Sequence, residues 1–127
     1  MIIWRFRCFV SANGRNVISH WYEDLSPKEQ ADFDAEIEIW RKQVEWDSRD
    51  FERLKGQKYK SLFEHKFKSC GKQHRILGCF GPEPRQYTFL LGCTHKGKIY
   101  DPPEAFDTAL RRKSQLAQDI GHLSDDY

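Results

Sequence analysis

Side chains suited to phosphate and proton chemistry are dense between residues 58 and 100, among them Lys58, Lys60, Lys66, Lys68, Lys72, Arg75, His95, Lys96, Lys98 and Tyr100. They belong to a segment of unusual charge. Residues 53–98 carry eleven Lys/Arg against two acids, Glu64 and Glu83, for a net +9. Residues 1–52 are −4 and residues 99–127 are −3, so the overall +2 conceals a basic middle between acidic ends. The basic residues sit on stretches that alternate like strands, Leu62-Phe63-Glu64-His65-Lys66-Phe67-Lys68 and His74-Arg75-Ile76-Leu77-Gly78-Cys79-Phe80. A solvated charge run needs no aromatics woven through it, whereas a basic sheet face that meets phosphates has this pattern. The competing reading is a lysine-rich surface with no ligand.

Metal chemistry finds little support in the spacing. Cys8, Cys70, Cys79 and Cys93 contain no C-x-x-C pair. Combined with His65, His74 or His95, they match no common zinc module. Cys8, Cys79 and Cys93 read instead as small buried residues on strands.

The elements that position the basic residues follow from periodicity. Trp4, Phe6, Cys8 and Val10 alternate with Arg5 and Arg7, which predicts a first strand ending at Asn13-Gly14. Val17, Ile18, Trp21 and Leu25 predict a short helix. Ser26-Pro27-Lys28-Glu29 is a capping box with proline at the first helical position. Phe33, Ile37, Trp40 and Val44 then form one apolar stripe of a helix expected to end near 46–49. Trp4, Trp21 and Trp40 read as core, with a partner's contact zone as the competing reading. Residues 50–60 read as a loop, followed by strands at about 61–68, 74–80 and 86–95. The last of these is apolar on both faces and therefore central. Asp101-Pro102-Pro103-Glu104 predicts a second capped helix to about residue 120, with 121–127 frayed. The order β-α-α-β-β-β-α over 127 residues describes one α+β domain, with a small, mainly antiparallel sheet backed by helices.

The turn at Cys70-Gly71 controls which cations meet. A two-residue loop faces Lys66 with Arg75. A longer loop, 69–73, faces Lys66 with Ile76 and turns Arg75 to the other face. Two directly opposed cations repel, and an anion between them would justify the arrangement.

These stretches resemble the RelE/ParE superfamily of type II toxin–antitoxin toxins, nearest the phage-derived HigB-like branch. The resemblance rests on Leu62–Lys66, His74–Phe80, Tyr87-Thr88-Phe89-Leu90-Leu91-Gly92-Cys93-Thr94-His95-Lys96 and Pro102–Ala109, and spans roughly residues 1–120. It implies a small twisted sheet backed by helices and an endoribonuclease that cuts mRNA, often on the ribosome, without metal or cofactor. In that chemistry a ribose 2′-OH attacks the adjacent phosphate and leaves a 2′,3′-cyclic phosphate and a 5′-OH. It needs a base, an acid and cations around the phosphorane.

By the same resemblance, Lys66 stands at the family's basic position on one strand and Arg75 at its arginine on the next. Arg75 is the expected phosphate clamp. His95-Lys96 replaces the family's common Lys-Lys, and His95 is the expected proton carrier. Lys68, Lys98 and Tyr100 flank them, with Tyr100 orienting or stacking a base. Lys58, Lys60 and Lys72 steer RNA. The competing roles are a structural Arg75–Glu64 bridge, a packed His65 and a plain surface His95. His122 and Asp125-Asp126-Tyr127 do not reproduce the C-terminal Asp, Tyr and His of some HigB-like members.

The implied partners are a cognate antitoxin, mRNA and the ribosome. ParE-like members inhibit DNA gyrase on the same fold, and a non-catalytic nucleic-acid-binding domain is the remaining alternative. No apolar run approaches the ~20 residues of a membrane helix. The N-terminus has no basic stretch leading into an apolar one, so a cytoplasmic protein without a membrane partner is expected.

Overall fold

The capping signal at Ser26 folds as its chemistry requires. In the computed structural model, which describes residues 1–127, Ser26 Oγ accepts from the Glu29 amide and Glu29 Oε1 accepts from the Ser26 amide. The chain has three helices: α1 Val17–Glu23, α2 Pro27–Arg41 and α3 Ala105–Gln118. Phe33, Ile37 and Trp40 are buried on α2, but Val44 is 59% exposed because the helix stops at Arg41. Trp46 folds back there and its indole N–H donates to the Trp40 carbonyl, a side-chain donor added at the helix end.

Six strands form one sheet: β1 Arg5–Cys8, β2 Phe51–Arg53, β3 Phe63–Ser69, β4 Lys72–Phe80, β5 Gln86–Lys96 and β6 Ile99–Asp101. The order is β1-β5-β4-β3-β2, with β6 added to β5. β1 runs parallel to β5 and the other pairs are antiparallel. The molecule is therefore α+β with a mixed, mostly antiparallel open sheet.

Helices cover both faces. α1 and α2 pack over Phe6, Phe67, Ile76 and Phe89, while α3 packs over Leu62, Leu77, Leu90 and Cys93. Gly92 allows α1 to seat, since a Cβ there would come within 2.3 Å of the Trp21 ring. Glu29 closes the α2 cap and also holds His74 of β4 at 2.7 Å, tying the helix to the sheet through a buried pair. Cys8, Cys79 and Cys93 are buried free thiols on strands. Burial pushes Cys79 up to about 11. No helix is long and apolar enough to cross a membrane.

Besides the early end of α2, three expectations are corrected. The 50–60 segment contains β2 and a 3-10 turn, Gln57–Tyr59, rather than loop alone. Asp101 does not cap α3, because it is taken up as the last residue of β6, opposite Thr94; the helix starts at Ala105. Residues 121–127 are not frayed. The Ser124 and Tyr127 amides donate to the Cys8 and Phe6 carbonyls, and the Cys8 amide donates to Ser124 Oγ. The outer edge of β1 offers unpaired backbone groups, and the tail satisfies them.

Candidate functional site

The β3–β4 hairpin places the basic residues. Cys70 and Gly71 form its two-residue loop with φ of +53° and +73°. Two positive φ angles define a type I′ turn, whose twist matches the flanking strands. The register that follows pairs Ser69 with Lys72, Lys68 with Gln73 and Lys66 with Arg75. Residues directly opposite share a face. Further pairings set Glu52 opposite Glu64, Arg75 opposite Cys93, Gln73 opposite His95, and His95 opposite Tyr100. One face of five strands thus presents Glu52, Glu64, Lys66, Gln73, Arg75, His95 and Tyr100.

Arg75 is the hub. Its Nε lies 3.2 Å from Glu64 Oε1, an ion pair between side chains only 11% and 9% exposed. Its Nη1 donates to the His74 carbonyl at 3.0 Å and its Nη2 to Gln73 Oε1 at 2.8 Å. Nη2 also stands 3.5 Å from His95 Nδ1. The Tyr100 hydroxyl donates to Glu64 Oε2 at 2.5 Å. Burial, reinforced by Glu64, raises the Tyr100 phenol above its usual range, so it remains a donor. The His95 and Tyr100 rings stack with centroids 4.4 Å apart. Lys66 bonds Glu52 and the Ser48 carbonyl. Its ammonium holds the Glu52 carboxyl below the ordinary range.

The anion expected between Lys66 and Arg75 is therefore supplied in part by the protein. Glu52 takes Lys66 and Glu64 takes Arg75. The two pairs differ in exposure. Glu52 is 47% exposed and can yield Lys66 to an incoming phosphate, while Glu64, 9% exposed, reaches solvent only at a groove wall.

Two grooves flank this network. One of about 510 Å³ lies between β2 and the β5–β6 turn, with Glu52, Glu64, His95, Lys98, Tyr100 and Phe106 among its walls. The other, about 430 Å³, contains Arg49, Lys66, Lys68, Gln73 and Arg75, together with Glu36 and Asp50.

Lys66, Arg75, His95 and Tyr100 converge, with Lys68 and Lys98 on the groove walls. Lys96 does not join them. It is the exposed last residue of β5, one position past His95, and lines neither groove. Lys58 is engaged elsewhere, 3.0 Å from Asp107. Lys60 and Lys72 are exposed outside both grooves. His65 is fully buried among Trp40, Trp46, Phe51 and Tyr87. His122 donates to the Val10 carbonyl and stacks on Phe9, pinning the tail. Glu52 and Gln73 were missed in the sequence, and Glu64 was considered only as a partner of Arg75. Glu64 did carry a signal, being one of two acids in the +9 segment.

Compared with protein-family models, curated proteins and solved structures, the chain matches none.

Proposed function

We propose that this chain is a metal-independent endoribonuclease that cleaves mRNA in the cytoplasm, with the ribosome as its setting. In this reading it is the toxin of a type II toxin–antitoxin pair of RelE/ParE type, held inactive by a cognate antitoxin. The observation that carries the reading is the convergence of Arg75, Glu64, His95 and Tyr100 in one network beside Lys66. A strand, two helices, three long antiparallel strands and a helix, with β2 and β6 added, are compatible with the RelE/ParE order.

The geometry supports the following chemistry. Glu64 lines the larger groove and accepts the ribose 2′-OH proton as the oxygen attacks phosphorus. His95, on the same wall, gives a proton to the departing 5′-oxygen. The products are a 2′,3′-cyclic phosphate and a 5′-OH. Arg75 and Lys66 neutralise the phosphorane, the guanidinium through its fork and the ammonium as a point charge. Tyr100 fixes Glu64, and its ring is stacked on His95 rather than left open for a base.

Expression of the chain alone in a susceptible bacterium tests this. Growth arrest with fragmented mRNA is expected, and Glu64→Gln and His95→Gln should each restore growth. Arrest with intact mRNA and broken DNA would instead indicate a gyrase target. No effect on growth would point to a binding domain.

A further inference from the structure

Phe80 ends β4, and at 46% exposed it is the one aromatic among the exposed large apolar residues. A single exposed phenylalanine is unremarkable. Phe80, however, stands on a run of partly exposed rings. It meets Phe63 edge-on with centroids 5.0 Å apart, and Phe51 at 5.8 Å. On its other side Trp4 lies at 5.6 Å and Trp46 at 6.1 Å. Both ends of the run carry a guanidinium. Arg53 sits 5.3 Å over the Phe63 ring, and Arg85 sits 5.6 Å over the Trp4 ring. Neither arginine forms an ion pair.

A guanidinium lying on a ring still presents its edge N–H groups to a phosphate. Aromatic faces interleaved with unpaired cations are how proteins bind single-stranded nucleic acid without reading its sequence.

The patch also connects to the candidate site. Phe51 and Phe63 lie on the opposite sheet face from Glu52 and Glu64, their chain neighbours. The two faces meet at β2, which is three residues long and forms the sheet edge. Arg53 belongs to both sides of that edge: it contributes to the wall of the 510 Å³ groove and rests on Phe63.

We propose that the Phe80 patch is a stacking platform for unpaired bases of an RNA strand that runs from the groove across β2. Phe80 receives a base, and Arg53 and Arg85 hold flanking phosphates. The platform rests on the RNA reading above, and its test separates the two. Non-cleavable 2′-O-methyl RNA is titrated while tryptophan emission is followed, since Trp4 and Trp46 lie in the patch. Wild type is compared with Phe80→Ala, and with Arg53→Ser and Arg85→Ser, which change only exposed arginines. Long oligomers should quench emission and bind each variant about tenfold or more weakly than wild type. Unchanged oligomer affinity and emission in all three variants would overturn the platform and assign the patch to an apolar protein segment. Weakened binding with no cleavage by any form, wild type included, would leave the platform standing and remove the ribonuclease reading.

Discussion

Arg75 has two tasks, and the choice of substitution decides which is lost. Arg75→Lys keeps a cation beside Glu64 but loses the fork, so cleavage should fall by about 10²-fold or more with little change in stability. Arg75→Ala also strips the enclosed Glu64 of its cation, at a cost of about 1–3 kcal/mol, and so confounds catalysis with folding. A fully active Arg75→Lys would show that a point charge suffices there. Glu52 restrains Lys66, and Glu52→Gln should release it. RNA should then bind more tightly, with a salt dependence steeper by about one phosphate contact. Weaker binding would mean that Glu52 aims Lys66 rather than holding it back. Lys66, Arg75 and His95 were marked in the sequence by the family resemblance, and the turn at Cys70-Gly71 offered the register that faces Lys66 with Arg75. Lys96 was misplaced because adjacency in sequence is not adjacency on a face: a strand turns each successive side chain the other way. Glu52 was hidden in a stretch read as loop.

At the scale of elements, the β3–β4 turn joins sequence to site. Its Gly71 suits a positive φ, but Cys70 at +53° does not, since L side chains other than Asn and Asp rarely adopt that region. Cys70→Asn should raise unfolding stability by about 0.5–1 kcal/mol in urea, with the register unchanged. An unchanged or lower midpoint would show that the thiol's contacts with Ser26 and Ser69, each at 3.8 Å, matter more than the backbone. Elements with a full period or a complete cap were legible: α1, the start of α2, and β3 to β5. Those set by tertiary pairing were not. β2 and β6 are three residues each, too short to show a period, and they form because β3 and β5 offer edges. The Asp-Pro-Pro-Glu signal was misread for the same reason, since pairing with Thr94 outcompeted the cap.

Across the whole molecule, the two sheet faces divide the work. The α3 face opens at one end into the Arg75 network, and the other face holds the aromatic core around His65. No hydrogen-bond partner reaches either ring nitrogen of His65, and full burial pushes its pKa well below the ordinary value. The unfolded chain takes up a proton there below about pH 6.5 and the folded chain does not, so this group costs stability as pH falls below that point. The slope is about 1.4 kcal/mol per pH unit. His65→Phe should flatten the pH 6.5–5 limb of the stability profile by one proton. An identical limb would place the titration elsewhere.

The central claim is that these side chains cleave RNA through the 2′-OH without a metal. The most direct measurement is end-group analysis of RNA incubated with purified protein and ribosomes in excess EDTA, with Glu64→Gln as control. The account predicts fragments bearing 5′-OH and 2′,3′-cyclic phosphate ends with wild type, and none with the variant. Fragments that appear only with a divalent metal, that carry 5′-phosphates, or that form equally with Glu64→Gln would contradict it.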